Sequence, residues 1–128
     1  MTEQERNKPT SDNLHHVAQA SNFSMRGLRA AWNNEFAFRL EVCLALICLP
    51  AALWLGQTGL ERGLLIMCAM LVLIVELLNS ALESTVDRIG TERHELSGQA
   101  KDMGSAAVFV SLMIFVVVWS CVAAGRFL

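Results

Sequence analysis

Three stretches of this chain are too long and too apolar to suit the core of a small soluble domain. Val42–Leu60 carries no charge over 19 residues, and Met103–Gly125 carries none over 23. Between them, a run from Gly63 to about Val86 stays uncharged until Glu76. About 20 apolar residues in a helix cross the hydrocarbon core of a bilayer. The chain is therefore expected to be an all-α integral membrane protein with three transmembrane helices, at about 42–60, 63–86 and 103–125. Composition agrees: 54% of the 128 residues are hydrophobic and 17% are charged, more apolar surface than a domain this small can hide. Pro50 lies inside the first run, where a membrane helix tolerates it better than a soluble one.

The remaining chain reads as polar flanks of a single domain. Residues 1–13 form a polar tail containing Pro9. They include no apolar h-region, so no cleavable signal peptide is expected. Ser11, Asp12 or Asn13 would cap the helix that follows. From Leu14 to about Arg39 the spacing of Leu14, Val17, Met25, Leu28 and Trp32 predicts an amphipathic helix, with His15, His16, Arg26 and Arg29 supplying polar groups. Such a helix suits a membrane surface. The stretch GQTGLERG reads as a short link between the first two spans.

Lys and Arg set the expected orientation. Arg6, Lys8, Arg26, Arg29 and Arg39 precede the first span, and Arg88, Arg93 and Lys101 separate the second from the third. The opposite side has Arg62 and Arg126 alone. The positive-inside rule then places the N-terminus in the cytoplasm and the C-terminus outside. Several function classes drop out. A net charge of −2 gives no basic field for nucleic acid. Cys43, Cys48, Cys68 and Cys121 form no CxxC pair and sit in apolar stretches, which argues against a disulfide framework or a zinc site.

The second span holds the unusual feature. It ends VELLNSALESTVD, with Glu76, Asn79, Glu83 and Asp87 in an otherwise greasy segment. At about 100° per residue, Asn79 falls about 60° from Glu76, and Glu83 and Asp87 fall about 20° to either side of it. All four share one stripe. Glu83 lies about 10 Å along the axis from Glu76, toward the expected cytoplasmic end. Carboxylates inside a bilayer are costly and mark functional sites, although a hydrogen-bond cluster holding the helices together is the simpler reading. Hard oxygen ligands of this kind suit Mg²⁺ bridging to phosphate, and a further carboxylate suits a general base for a hydroxyl. Glu35 is expected near the depth of Glu83.

The segment DRIGTERHELSGQAKDMGSAA follows, punctuated by Gly90 and Gly98. His94–Glu95 opens an HExxH-like string, but Gly98 stands where the second His must be, so the zinc-protease motif fails. Neither a GxxxxGK[ST] loop nor a GxGxxG turn is present. Lys101 is suited to meet a phosphate as a point charge.

The stretches GLRAAWNNEFAFRLE, VELLNSALESTVDRIG and ERHELSGQAKDMGSAA closely resemble the bacterial integral-membrane diacylglycerol kinases of the Gram-negative type, in order and over nearly everything after residue 20. The resemblance implies a homotrimer at the inner membrane, with sites shared between subunits. It implies transfer of the γ-phosphate of MgATP to the hydroxyl of diacylglycerol, giving phosphatidic acid. It implies Glu76 as catalytic base and Glu35 and Glu83 as Mg²⁺ ligands. It assigns Asn79, Asp87, Glu92, His94, Glu95, Lys101 and Asp102, with Glu35 and Glu83, to the nucleotide. Arg29, Trp32, Asn34, Glu76 and Ser105 fall to the lipid substrate. Phe23 stands where the family commonly has Tyr, and Gln19 and Gln99 stand where it has basic residues.

Two other lines of function fit the same residues. One is phosphorylation of undecaprenol, against which the HELSG loop argues. The other is an oligomeric proton or ion conduit lined by Glu76 and Glu83, which leaves Glu35 and Lys101 without a role. One chain has too few helices to surround the stripe, so self-association is expected on physical grounds.

Overall fold

The computed structural model describes residues 10–90 and 92–128, with side chains from 16 onward except that of Thr91. Four helices follow one another: α1 (Thr10–Asn34), α2 (Phe36–Leu55), α3 (Gly59–Ile89) and α4 (Glu95–Phe127). No strand occurs among the described residues. The last three helices are each long and apolar enough to cross a membrane. Of the expected tail, residues 1–9 lie outside the described residues, and 10–13 are already helical.

The chain divides into two compact units, residues 1–34 and 35–128. Within α1, Ser21 and Ser24 donate back to the carbonyls of Val17 and Ala20. The Arg26 guanidinium lies over the Phe23 ring at 5.6 Å. The sequence predicted one helix through Arg39, but Glu35 is extended (φ −109°, ψ 112°) and breaks it. At this point Asn34 Nδ2 donates to the Ala30 carbonyl at 2.9 Å. Side-chain bonds of this kind compete with the helical ladder. Helix α2 restarts at once, with Arg39 N donating to Glu35 O at 3.3 Å, and it runs through Pro50 without interruption.

Helix α3 is the axis of the second unit. It packs most extensively on α4, next on α2, and those two scarcely meet. Its start is set by chemistry the link GQTGLERG conceals. Thr58 Oγ1 accepts from Glu61 N at 3.2 Å, while Glu61 Oε2 accepts from Thr58 N at 3.2 Å and Gln57 N at 2.6 Å. This capping box satisfies donors left open at a helix start, so α3 begins four residues ahead of the predicted span. Helix α4 likewise begins before its apolar run: His94 Nδ1 accepts from Leu96 N at 3.2 Å, and Gly98 becomes helical.

The core cluster lies at one end of the bundle, where Ala52, Leu55 and Leu65 are buried beside Ile66, Val118, Trp119, Val122 and Ala123. Arg62 and Arg126 close this end. Arg62 Nε donates to Gly56 O at 2.9 Å, and Arg126 Nη1 donates to Trp54 O and to Leu55 O. Arg126 also lies 4.6 Å from the Trp54 ring centroid. Gly56 is required here, since a Cβ would come within 2.9 Å of the Arg62 main-chain nitrogen. The final carbonyls of a helix have no partner within it, and two arginines serve that role for α2. Elsewhere the bundle is apolar outward: Leu46, Ile47, Ile74, Leu78, Phe109 and Val116 are exposed on its three helices, as lipid-facing or subunit-facing helices require.

Arg126→Met keeps the aliphatic stem and removes the donors. It is expected to lower thermal stability in detergent by about 1–3 kcal/mol. An unchanged unfolding temperature would show that the α2 carbonyls find other partners.

Candidate functional site

The stripe on α3 survives as a graded series. Glu76 is only 6% exposed. Asn79 and Glu83 are half-buried, and Asp87 is exposed. The helix is unbroken from Gly59 to Ile89, so one continuous face carries polar groups from the interior of the bundle to its open end. Asn79 Nδ2 donates to Glu83 Oε1 at 3.1 Å, which fixes the carboxylate one turn away. The other amide atom, Asn79 Oδ1, is buried with no hydrogen-bond partner.

Glu76 is the centre of an acidic group. It lies within electrostatic reach of Glu83, Glu35 and Glu41. Glu35 reaches it from the N-cap position of α2. Glu41 is not among the site residues expected from the sequence. It abuts the uncharged run that begins at Val42 and passes for a flanking charge. A helical wheel of α2 would have found it, because Glu41, Ala45 and Cys48 share the face turned toward α3. Its Oε2 is buried with no hydrogen-bond partner. Glu41 also lines an apolar groove of about 70 Å³ with Leu44, Ala45, Cys48, Ala69, Val72, Leu112 and Phe115.

At the open end, the connection between α3 and α4 folds over a larger cleft. Asp87, Gly90, Glu92, Arg93, His94, Glu95, Ser97, Gly98 and Lys101 line about 410 Å³. Lys101 Nζ bonds Asp87 Oδ1 at 2.5 Å. Gln99 Nε2 reaches Glu95 Oε1 at 3.4 Å. Five predicted residues thus share this cleft (Asp87, Glu92, His94, Glu95 and Lys101), and Arg93 and Ser97 join them unannounced. Asp102 and Ser105 sit exposed on α4 and do not line it. Arg29, Trp32 and Asn34 belong to α1, within the first unit.

Among the described residues, no group of three or more His, Cys, Asp or Glu side chains is assembled to hold a metal ion. The donor set still fits Mg²⁺. That ion takes one or two carboxylates and completes its octahedron with phosphate oxygens and water.

The family model described as prokaryotic diacylglycerol kinase matches residues 22–123. This chain belongs to that family. A diacylglycerol kinase from Haemophilus influenzae is 53% identical over 106 residues, covering 83% of this chain and 90% of that protein. The Escherichia coli strain K12 diacylglycerol kinase is 53% identical over 103 residues, covering 80% and 84%. A more distant one from Helicobacter pylori is 42% identical over 120 residues, covering 94% and 90%. The matched region takes in the α3 stripe, the acidic group around it and the cleft at the open end, so the polar features described above are the family's part of the chain.

The Lys101–Asp87 pair is partly solvent-exposed, with side-chain exposures of 38% and 66%. Exposed pairs contribute little to folding. Lys101→Gln and Asp87→Asn are each expected to leave the unfolding temperature in detergent close to that of wild type. A larger loss would give the pair a structural task.

Proposed function

We propose that this protein is a diacylglycerol kinase, transferring the γ-phosphate of ATP to the hydroxyl of a membrane diacylglycerol and releasing phosphatidic acid. The observation that carries the proposal is the graded stripe: a carboxylate buried in an apolar helix, joined along one face to a polar cleft. A lipid alcohol and a charged nucleotide are soluble in different phases. An enzyme joining them needs groups at both depths, and α3 carries such a series. Family membership supports the same activity.

In this reading, Glu76 accepts the proton of the lipid hydroxyl as its oxygen attacks the γ-phosphorus, and ADP leaves. General bases of this kind contribute about 10² to 10⁴ in rate. Glu83 and Glu35 hold Mg²⁺, which when bound neutralises charge between carboxylates and phosphates. Asn79 orients Glu83. Asp87, Glu92, His94, Glu95, Lys101 and Asp102 receive the nucleotide, with Lys101 meeting a phosphate in exchange for its bond to Asp87. Arg29, Trp32, Asn34 and Ser105 are assigned to the lipid by their place in the family motifs, and the apolar groove below Glu41 suits an acyl chain. Phosphoryl transfer asks mainly for positioning and charge stabilisation, which this donor set is suited to provide.

The positive-inside count favours a cytoplasmic cleft, and the family resemblance favours the inner membrane. The exposed apolar faces favour self-association in which neighbours complete each site, and the family resemblance favours three subunits.

The test uses the purified full chain in mild detergent with MgATP and a short-chain diacylglycerol, reading phosphatidic acid formed. Turnover is expected, dependent on Mg²⁺ and reduced by about 10²-fold or more in Glu76→Gln. Glu83→Gln should raise the Mg²⁺ requirement. Turnover with undecaprenol in place of diacylglycerol would change the substrate. Proton flux in liposomes without turnover would replace the kinase with a conduit.

A further inference from the structure

Asn79 carries a constraint that its own helix does not explain. A carboxylate accepts hydrogen bonds and does not donate them, so the bond to Glu83 Oε1 obliges the amide to present its Nδ2 there. Oδ1 must then face the opposite way. It points into the contact between α3 and α4 and finds no hydrogen-bond donor. What it finds is Gly104. A Cβ placed on Gly104 would be built into Asn79 Oδ1, with Asn79 Cγ 3.4 Å away and Leu82 Cδ2 3.6 Å away. The other helical glycines of α3 and α4, Gly59, Gly63, Gly98 and Gly125, have open space around such an atom.

We propose that Gly104 is a positioning residue: its missing side chain makes the room in which Asn79 turns its amide toward Glu83. The proposal rests on the reading of Glu83 as a metal-holding carboxylate, and adds a residue on another helix that controls it. Any side chain at Gly104 displaces the end of Asn79. The amide is short, and Leu82 stands beside the same point. Rotation therefore carries Nδ2 off Glu83. The cost falls on the orientation of the carboxylate more than on the fold, because one terminal amide yields and the backbone stays. Residues that orient a metal ligand from behind commonly affect metal affinity by about 10- to 100-fold.

Two measurements on the full chain in detergent test this. The first is the side-chain amide signal of Asn79 by ¹⁵N NMR, identified by its loss in Asn79→Ala. It is expected to move in Gly104→Ala in the same direction as in Glu83→Ala. The second is Mn²⁺ binding in the presence of a non-hydrolysable ATP analogue, read by electron paramagnetic resonance and so independent of turnover. Gly104→Ala is expected to weaken it by about tenfold, with no further loss when Asn79→Ala is added. An Asn79 signal unmoved in Gly104→Ala overturns the proposal, as does a double variant whose losses multiply. A moved signal with unchanged Mn²⁺ binding leaves Gly104 in its positioning role and removes the metal role of Glu83. Should Gly104→Ala fail to assemble, Asn79→Ala in the same chain must restore assembly. Failure to restore it would trace the clash to atoms other than Asn79.

Discussion

Placing a carboxylate inside an apolar bundle is the constraint on which the rest of this structure depends. An isolated charge in such surroundings is costly, and the cost falls only with partners, protons or water. Helix α3 meets this by distributing polar groups along one face, so that Glu76 is never far from Asn79 and Glu83, and Glu83 never far from the open end. Small residues keep the neighbouring helices close to that face. Ala45, Ala52, Ala69 and Ser80 are all buried, and small side chains let helix backbones approach in membranes. Gly104 is the extreme case, since its absent side chain is what the amide of Asn79 occupies.

The two ends of the bundle divide the work. At one, Ala52, Leu55 and Leu65 make a dry core closed by arginine–carbonyl bonds and by Trp54 against Phe127. At the other, charges face a cleft, and Lys101 pairs with Asp87 across a partly exposed contact. Rigidity belongs to the first end, and exchange of partners to the second. That division suits the proposed reaction, in which the helices keep their register while Lys101 would trade Asp87 for a phosphate.

Much of this was legible from residue order. The uncharged runs specify three long helices, because length and hydropathy suffice for that. The stripe is legible too, since helical period alone puts Glu76, Asn79, Glu83 and Asp87 together. Helix limits were less legible. The box formed by Thr58 and Glu61 lies in a Gly-rich stretch with the look of a link, and the cap from His94 lies within an HExxH-like string. The break at Glu35 is a change of backbone conformation at a single residue, which no periodicity expresses. Glu41 was masked by its position at the edge of an apolar run. Gly104 could not be found at all from spacing: its meaning lies in an atom of Asn79, on another helix, and only three-dimensional packing brings them together.

The arginine closure has a temporal side. Arg126 lies 71 residues beyond Leu55, whose carbonyl it caps. All of α3 and α4 must be synthesised before that donor exists. The Trp54 and Leu55 carbonyls therefore gain these donors only once α4 is complete, and loop-closure entropy opposes the bond. Until then, the dry end of the bundle is its least finished part.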